Sequence, residues 1–131
     1  MCDILVAEDS FALANLLTFV LKNAGYAVDL HRNGATALEA AQQQKYSLLL
    51  LDQQMPHLTG LQVIEAVRAG GPNRTTPILL CTAKSHELGP SESMERLEIS
   101  KVFQKPFSPR ELVSYLRETI APAALQTQGA V

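Results

Sequence analysis

The stretch Leu48-Leu49-Leu50-Leu51-Asp52-Gln53-Gln54-Met55-Pro56 decides how this chain folds. Its four consecutive leucines are apolar on both faces of a strand, which is typical of a central strand in a parallel sheet covered by helices on both sides. Asp52 then places a carboxylate at the carboxyl end of that strand. Open α/β sheets bind their ligands at this edge. The stretch therefore predicts both a fold class and the position of a site.

Three other short apolar runs also end on a residue that can carry chemistry. These runs and the residues that follow them are 3–7 with Glu8-Asp9, 78–81 with Thr82, and 101–104 with Lys105-Pro106. If the runs are parallel strands, their polar ends meet at one edge of one sheet. Each of these residues alone has an ordinary explanation as a cap, a turn residue or a solvated charge. Their common position after strands favours a shared site instead.

The segments between the runs carry helical periodicity and helix boundary signals. Their predicted starts are Ser10, Asn33-Gly34, Thr59-Gly60, a point near Pro90, and Ser108, while residues 26–31 alternate like an edge strand. Five strand–helix units with short connections predict a flavodoxin-like, doubly wound α/β fold with a five-stranded parallel sheet and five helices. The expected strand order is 2-1-3-4-5, which brings Glu8, Asp9 and Asp52 together at the switch point.

The composition limits the classes of function that this chain can have. Its 131 residues indicate one domain, which we place at residues 1–121, followed by a tail or linker remnant at 122–131. The net charge of −2, with no basic block, argues against direct nucleic-acid binding. No apolar run is long enough for a membrane span and no signal peptide is visible. The two cysteines fit no metal or redox spacing. We therefore expect a cytoplasmic protein without membrane association.

The predicted cluster of charges suits a divalent cation and a phosphoryl group. Mg²⁺ prefers oxygen ligands and keeps several waters, so Glu8, Asp9 and Asp52 are candidate ligands, and a loop carbonyl can add another. A carboxylate can act as the nucleophile in phosphoryl transfer and form an acyl phosphate. Lys105 offers a positive charge to phosphoryl oxygens, and Thr82 offers a hydroxyl donor.

At these residues the chain resembles the receiver domain of bacterial two-component response regulators. The resemblance covers about residues 3–121. It rests on the acidic pair Glu8-Asp9, on Asp52 with Met55-Pro56 and with Gly60 eight residues further on, on Cys81-Thr82-Ala83, and on Lys105-Pro106-Phe107. In this family the peptide bond that corresponds to Lys105–Pro106 is usually cis.

The resemblance implies a role for each matching residue. Asp52 would be the phosphoacceptor, Thr82 the switch hydroxyl and Lys105 the phosphate-binding lysine, while Glu8, Asp9, Asp52 and the Gln54 carbonyl would hold Mg²⁺. The implied partners are a histidine kinase or a histidine phosphotransfer protein that donates the phosphoryl group, and a downstream output protein or domain. Such a switch catalyses only its own phosphorylation and dephosphorylation and has no metabolic substrate. A dimer is possible.

The chain also departs from the family pattern near its fifth strand. The family usually has an aromatic residue three positions before the lysine, where this chain has Val102, and Phe103 should point to the other side of the strand. The spacing from Thr82 to Lys105 is one residue longer than usual. Val102 favours an alternative, a receiver-like protein-binding module that ignores phosphate. A flavodoxin-like enzyme is a further alternative, but the acidic loop after the first strand would repel a flavin phosphate, and Gln54 replaces the second Asp of aspartate-nucleophile phosphohydrolases.

Overall fold

The computed structural model describes residues 3–83 and 95–120. The strands are β1 (Ile4–Ala7), β2 (Val28–His31), β3 (Leu48–Asp52), β4 (Ile78–Thr82) and β5 (Ile99–Gln104), and the helices are α1 (Phe11–Asn23), α2 (Gly34–Gln43), α3 (Gly60–Ala69) and α4 (Pro109–Thr119). Five helices were predicted. The helix expected near Pro90 falls largely on residues 84–94, outside the described residues, so the helix after Ser108 is numbered α4 here.

The five strands are all parallel and lie in the order β2-β1-β3-β4-β5. Both the strand order and the parallel sheet predicted from the sequence are therefore confirmed. Strand β3 lies at the centre, and all five of its residues are buried. Leu49 and Leu51 pack on the side of α2 and α3, whereas Leu48 and Leu50 pack on the side of α1 and α4. The leucine run is apolar on both faces because helices cover both faces of the sheet.

The side chain of the N-cap residue caps each of the four described helices. The Asn33 side chain accepts a hydrogen bond of 2.9 Å from the Thr36 N–H, and Thr59 and Gln62 form a complete capping box at the start of α3. The Ser10 and Ser108 hydroxyls cap α1 and α4, and Pro109 occupies the first turn of α4. These bonds satisfy N–H groups that have no partner inside the helix. The helix starts are therefore determined locally, in agreement with the sequence.

The pairing of β4 with β5 contains a bulge. Ile78 pairs with Ile99, but Leu79 pairs with Lys101, so Ser100 is an extra residue on the β5 side. This extra residue accommodates the longer spacing between Thr82 and Lys105, because the pairing beyond it is regular up to Thr82 and Gln104. Strand β5 also begins earlier than predicted from the sequence, at residue 99 instead of about 102.

The aromatic residue in β5 is directed away from the position that aromatic residues usually take in the resembled family. Phe103 is buried with α1 and α4, and its ring centroid lies 5.5 Å from that of Phe107 and 5.9 Å from that of Tyr115. Val102 packs on the opposite face, with α2 and α3. The predicted opposite orientation of these two neighbours is confirmed. Phe103 is thus a core residue in this fold.

Arg68, near the end of α3, connects this helix to two other backbone segments. Its guanidinium donates hydrogen bonds to the Leu97 carbonyl (2.7 Å), the Thr76 carbonyl (2.8 Å) and the Glu98 carbonyl (3.0 Å). It also donates to the carbonyl groups of Asn73 and Arg74. One side chain therefore satisfies carbonyls in the loop before β4 and in the turn before β5, where Glu98 has a left-handed φ of 54°.

The two ends of α3 provide a matched test of packing near the site. A methyl group at Gly60 would lie 2.6 Å from Leu80 Cδ1 and 2.8 Å from the Asp52 carbonyl oxygen, whereas a methyl group at Gly70 meets nothing within 4 Å. We expect Gly60→Ala to lower the free energy of unfolding by about 1–3 kcal/mol, because an overpacked core shifts its backbone. Gly70→Ala should be neutral or slightly stabilising. Urea unfolding of both variants measures the difference, and equal stabilities would contradict the packing argument.

Candidate functional site

Three carboxylates meet at the carboxyl ends of the two central strands. Glu8 and Asp9 follow β1, Asp52 ends β3, and the register pairs Ala7 with Leu51. Each of the three side chains offers a carboxylate oxygen, and these oxygens lie within 4.8 Å of one another. Asp9 is exposed, but Glu8 and Asp52 are only 1% and 3% exposed. Two buried negative charges side by side are unfavourable unless a cation is close to them.

Lys105, which directly follows β5, supplies that cation. Its Nζ atom lies 2.9 Å from Glu8 Oε1 and 3.2 Å from Asp52 Oδ1. Burial lowers the pKa of Lys105, but the bonds and charges of Glu8 and Asp52 outweigh that effect and raise it overall. The Lys105 N–H donates to the Thr82 carbonyl at 2.8 Å, and the Lys105–Pro106 peptide bond is cis. The lysine is therefore held as an ammonium ion between two buried acids.

Burial and nearby charges shift the pKa of Asp52. Burial, and after it the nearby charge of Glu8, raise the pKa of Asp52 from 3.8 to about 6. Lys105 and the Gln54 N–H, which donates to Asp52 Oδ1 at 3.4 Å, act in the opposite direction. Near neutral pH the group is an ionised carboxylate whose charge is poorly solvated. Such a carboxylate binds a cation or attacks an electrophile more readily than one in water.

Thr82 ends β4 next to this cluster and is completely buried. Its hydroxyl accepts a hydrogen bond of 3.2 Å from the side-chain amide of Gln54. Sequence reasoning considered the Gln54 backbone carbonyl, but it missed this side-chain contact. No local pattern signals it, because the two residues are 28 positions apart.

The loop after Asp52 is fixed by Gln53, which the sequence did not single out. Its N–H donates to the Cys81 carbonyl at 2.8 Å, and its side-chain oxygen accepts from the Leu61 N–H at 2.9 Å. Its carbonyl accepts a bond of 3.2 Å from the Gly60 N–H. Gln53 thus joins β4, the loop and the start of α3, and it keeps Asp52 and Gln54 in place.

Arg32 has a similar effect on the loop after β1. Its guanidinium donates to the Asp9 carbonyl at 2.9 Å and lies 5.3 Å above the centre of the Phe11 ring. The Ser10 N–H donates to Glu8 Oε2 at 3.0 Å. These contacts orient the acidic pair although Asp9 itself is exposed. His57 is also exposed and has a left-handed φ of 74°, so it lies in a turn of the loop after β3.

The cluster has the donor set of a magnesium site. Glu8, Asp9 and Asp52 provide hard carboxylate oxygens on one side of the crevice, which leaves space for the waters that Mg²⁺ retains. Lys105 and the Thr82 hydroxyl border the same cluster with groups that bind phosphoryl oxygens. All the residues predicted for the site therefore lie together at one edge of the sheet. The position of the Gln54 carbonyl as a ligand remains a prediction.

Comparison with known proteins identifies the family that has this arrangement. The model of the response regulator receiver domain matches residues 4–117. The chain belongs to the response regulator receiver domain family. The response regulator ArlR of Staphylococcus saprophyticus is 33% identical over 117 residues, which is 89% of this chain and 51% of ArlR. This receiver domain spans about half the length of the curated relatives that it matches.

Solved structures of receiver domains have the same fold. Response regulator TrrA from Thermotoga maritima, in complex with Mg²⁺-BeF, superimposes with a TM-score of 0.78 and is 30% identical, covering 92% of this chain and 100% of TrrA. The receiver domain of a sensor histidine kinase from Pseudomonas aeruginosa PAO1, with a magnesium ion coordinated in its active-site cleft, gives a TM-score of 0.79 at 29% identity. That match covers 90% of this chain and 96% of the other.

Membership of this family defines the general activity of the chain. Receiver domains are the phosphorylation-controlled switches of two-component systems, in which histidine kinases send the signal and output domains receive it. The chain contains such a signalling switch. Among residues 3–83 and 95–120, no helix has the length and apolar character that crossing a membrane requires.

The raised pKa of Asp52 predicts a pH-dependent cost to stability. Between about pH 4 and 6 the folded protein holds a proton on Asp52 that the unfolded chain has lost, so stability falls as the pH rises through this window. Above pH 6 the cost of the ionised group is fully present. Without divalent cations, Asp52→Asn should therefore be more stable than the parent above pH 6, by about 1–2 kcal/mol.

This gain should shrink as the pH falls from 6 to 4, because the parent carboxyl then becomes neutral as well. Urea unfolding in EDTA at several pH values measures both curves. Glu39→Gln, on an exposed position of α2, is the control and should give a difference near zero at each pH. A gain for Asp52→Asn that does not change with pH would contradict the assignment.

Proposed function

We propose that this receiver domain accepts a phosphoryl group on Asp52 from a phosphohistidine donor and later hydrolyses the product. An oxygen of the Asp52 carboxylate attacks phosphorus, the P–N bond to the donor imidazole breaks, and an acyl phosphate forms. Water then releases inorganic phosphate and regenerates the carboxylate. The observation that carries this proposal is a buried carboxylate in contact with an ammonium group and beside two further acids.

Each residue of the site has a separate task in the proposed reaction. Mg²⁺ would be held by the carboxylates of Glu8, Asp9 and Asp52 and by the Gln54 carbonyl. When bound, it would offset the negative charge of the phosphoryl group. Lys105 already contacts Asp52 Oδ1 and can follow the charge onto the phosphoryl oxygens. The Thr82 hydroxyl donates a hydrogen bond to the same phosphoryl group. The intact set of these residues supports phosphorylation over the alternative, a binding module that ignores phosphate.

The surface beside the site supports a protein as the phosphodonor. Helix α1 starts directly after the acidic loop, and it carries three exposed large apolar side chains: Phe11, Leu16 and Phe19, which are 69%, 45% and 65% exposed. Leu16 also lines an apolar groove with Leu13, Pro106 and Phe107 next to Lys105. A donor imidazole must come close to Asp52, so its protein has to cover this rim. We propose that a histidine kinase or histidine phosphotransfer protein docks here.

The output of the switch is proposed from the length of the relatives. The curated relatives are about twice as long as their match to this chain. We propose that residues 1–121 are the receiver domain, that residues 122–131 are a tail or a linker, and that a cytoplasmic output protein or domain responds to phosphorylation. We also expect phosphorylation to reorder residues 82–90, most of which lie outside the described residues.

The assignment of the phosphoacceptor has a direct test. With Mg²⁺ and acetyl phosphate, the intact mass should rise by one phosphoryl group, and the adduct should be labile at alkaline pH because it is an acyl phosphate. Asp52→Asn should lose the adduct, since an amide is a poor nucleophile. Glu39→Gln is the matched control and should retain it. A stoichiometric adduct on the Asp52→Asn variant would show that another residue is the acceptor.

The metal assignment is tested most cleanly at Asp9. This carboxylate is exposed, so Asp9→Asn removes a ligand charge with little effect on the core. We expect the Kd for Mg²⁺ to rise about tenfold or more, which corresponds to about 1.4 kcal/mol. NMR titration of the amide signals of Gln53 and Ser10 measures it, with Glu39→Gln as the control. Unchanged affinity in the Asp9→Asn variant would remove Asp9 from the site.

A further inference from the structure

Gln54 contacts both the proposed phosphoacceptor and the proposed switch hydroxyl. Its backbone N–H donates to Asp52 Oδ1 at 3.4 Å, and its side-chain amide donates to the Thr82 hydroxyl at 3.2 Å. Neither contact follows from a role of the Gln54 carbonyl as a metal ligand. The contact between the Gln54 side chain and Thr82 therefore needs an explanation other than metal binding.

The backbone around Gln54 gives it little freedom to adjust. Gln53 immediately before it is bonded to Cys81, Gly60 and Leu61. Thr82 is completely buried, and its own carbonyl is bonded to the Lys105 N–H at 2.8 Å. The amide–hydroxyl bond thus connects two firmly held segments, the loop after β3 and the end of β4. Thr82 cannot move its hydroxyl far without breaking the bond to Gln54.

We propose that Gln54 is a positioning residue that holds Thr82 in the unphosphorylated conformation. This proposal rests on the proposed function, in which the Thr82 hydroxyl donates a hydrogen bond to a phosphoryl group on Asp52. When Thr82 turns toward that group, the bond from the Gln54 amide is lost. A hydrogen bond of this kind contributes a factor of about 2 to 10 to an equilibrium. Gln54 accordingly sets how strongly the chain resists switching, without touching the phosphoryl group.

Beryllofluoride with Mg²⁺ serves as the probe, because it forms a stable phosphoryl analogue on a carboxylate. Gln54→Met keeps the length of the side chain but removes the amide. We expect this variant to bind beryllofluoride about 2- to 10-fold more tightly than the parent. In the absence of the probe, the amide signal of Ala83, next to Thr82, should shift part of the way toward its position in the beryllofluoride complex.

A double-mutant cycle with Thr82→Val separates positioning from a general effect on the loop. Thr82→Val removes the hydroxyl that accepts the bond, so Gln54→Met should then change neither the affinity nor the Ala83 signal. Gln43→Met, at an exposed position of α2, is the control for the substitution itself. Titrations followed by NMR supply both readouts for all the variants.

The outcomes separate this inference from the function on which it rests. If the parent does not bind beryllofluoride with Mg²⁺, the proposed phosphoacceptor site is wrong. If the parent binds it and Gln54→Met has equal or weaker affinity, Gln54 does not restrain Thr82 and the inference is overturned. The same conclusion follows if Gln54→Met has the same effect in the Thr82→Val background as in the parent.

Discussion

The contact of Lys105 with Glu8 and Asp52 is the interaction on which the site depends. Two buried carboxylates at adjacent strand ends would repel each other strongly in a poorly solvated crevice. The Lys105 Nζ atom, 2.9 Å from one and 3.2 Å from the other, makes the arrangement tolerable. The compensation is incomplete, because the pKa of Asp52 is still raised to about 6. A bound metal ion can relieve this remaining cost, because it places a further positive charge beside the carboxylates.

The fold supplies this contact through strand register. Adjacent pairing of β1 with β3 places Glu8 beside Asp52, and pairing of Thr82 with Gln104 places Lys105 just beyond β4. The bulge at Ser100 is part of this geometry, because it accommodates the extra residue before Lys105. The chain has therefore kept the position of the lysine while changing the strand that carries it. The residues expected for the reaction therefore lie together, although β5 departs from the usual pattern of the family at Val102.

Strand β5 differs from the usual pattern of the family at Val102 and Phe103. The aromatic residue of β5 is packed between Phe107 and Tyr115 on the face of α1 and α4. A buried ring in a close-packed core is a poor rotamer switch, since moving it leaves a cavity. In the function proposed above, Thr82 and the residue that restrains it then carry more of the response to phosphorylation at Asp52. The bond between Gln54 and Thr82 is a restraint of this kind within the described residues.

Local patterns in the sequence determined the elements, their order and the residue types of the site. The four leucines of β3 indicated burial on both faces, the side chains of Ser10 and Ser108 indicated helix starts, and polar residues after the apolar runs indicated the functional edge. The family motifs then identified Glu8, Asp9, Asp52, Thr82 and Lys105 as one site. This succeeded because periodicity and capping depend on neighbours a few residues apart.

Only the tertiary structure decided the contacts between distant segments. It showed that the Gln54 amide reaches Thr82, that Arg32 orients the Asp9 loop, and that Arg68 joins the ends of three segments. It also placed the extra residue of β5 in a bulge at Ser100, which spacing alone could not locate. These features depend on which side chains become neighbours after the strands pair. A sequence pattern does not predict such contacts, because glutamine and arginine also occur frequently on solvated surfaces without any tertiary contact.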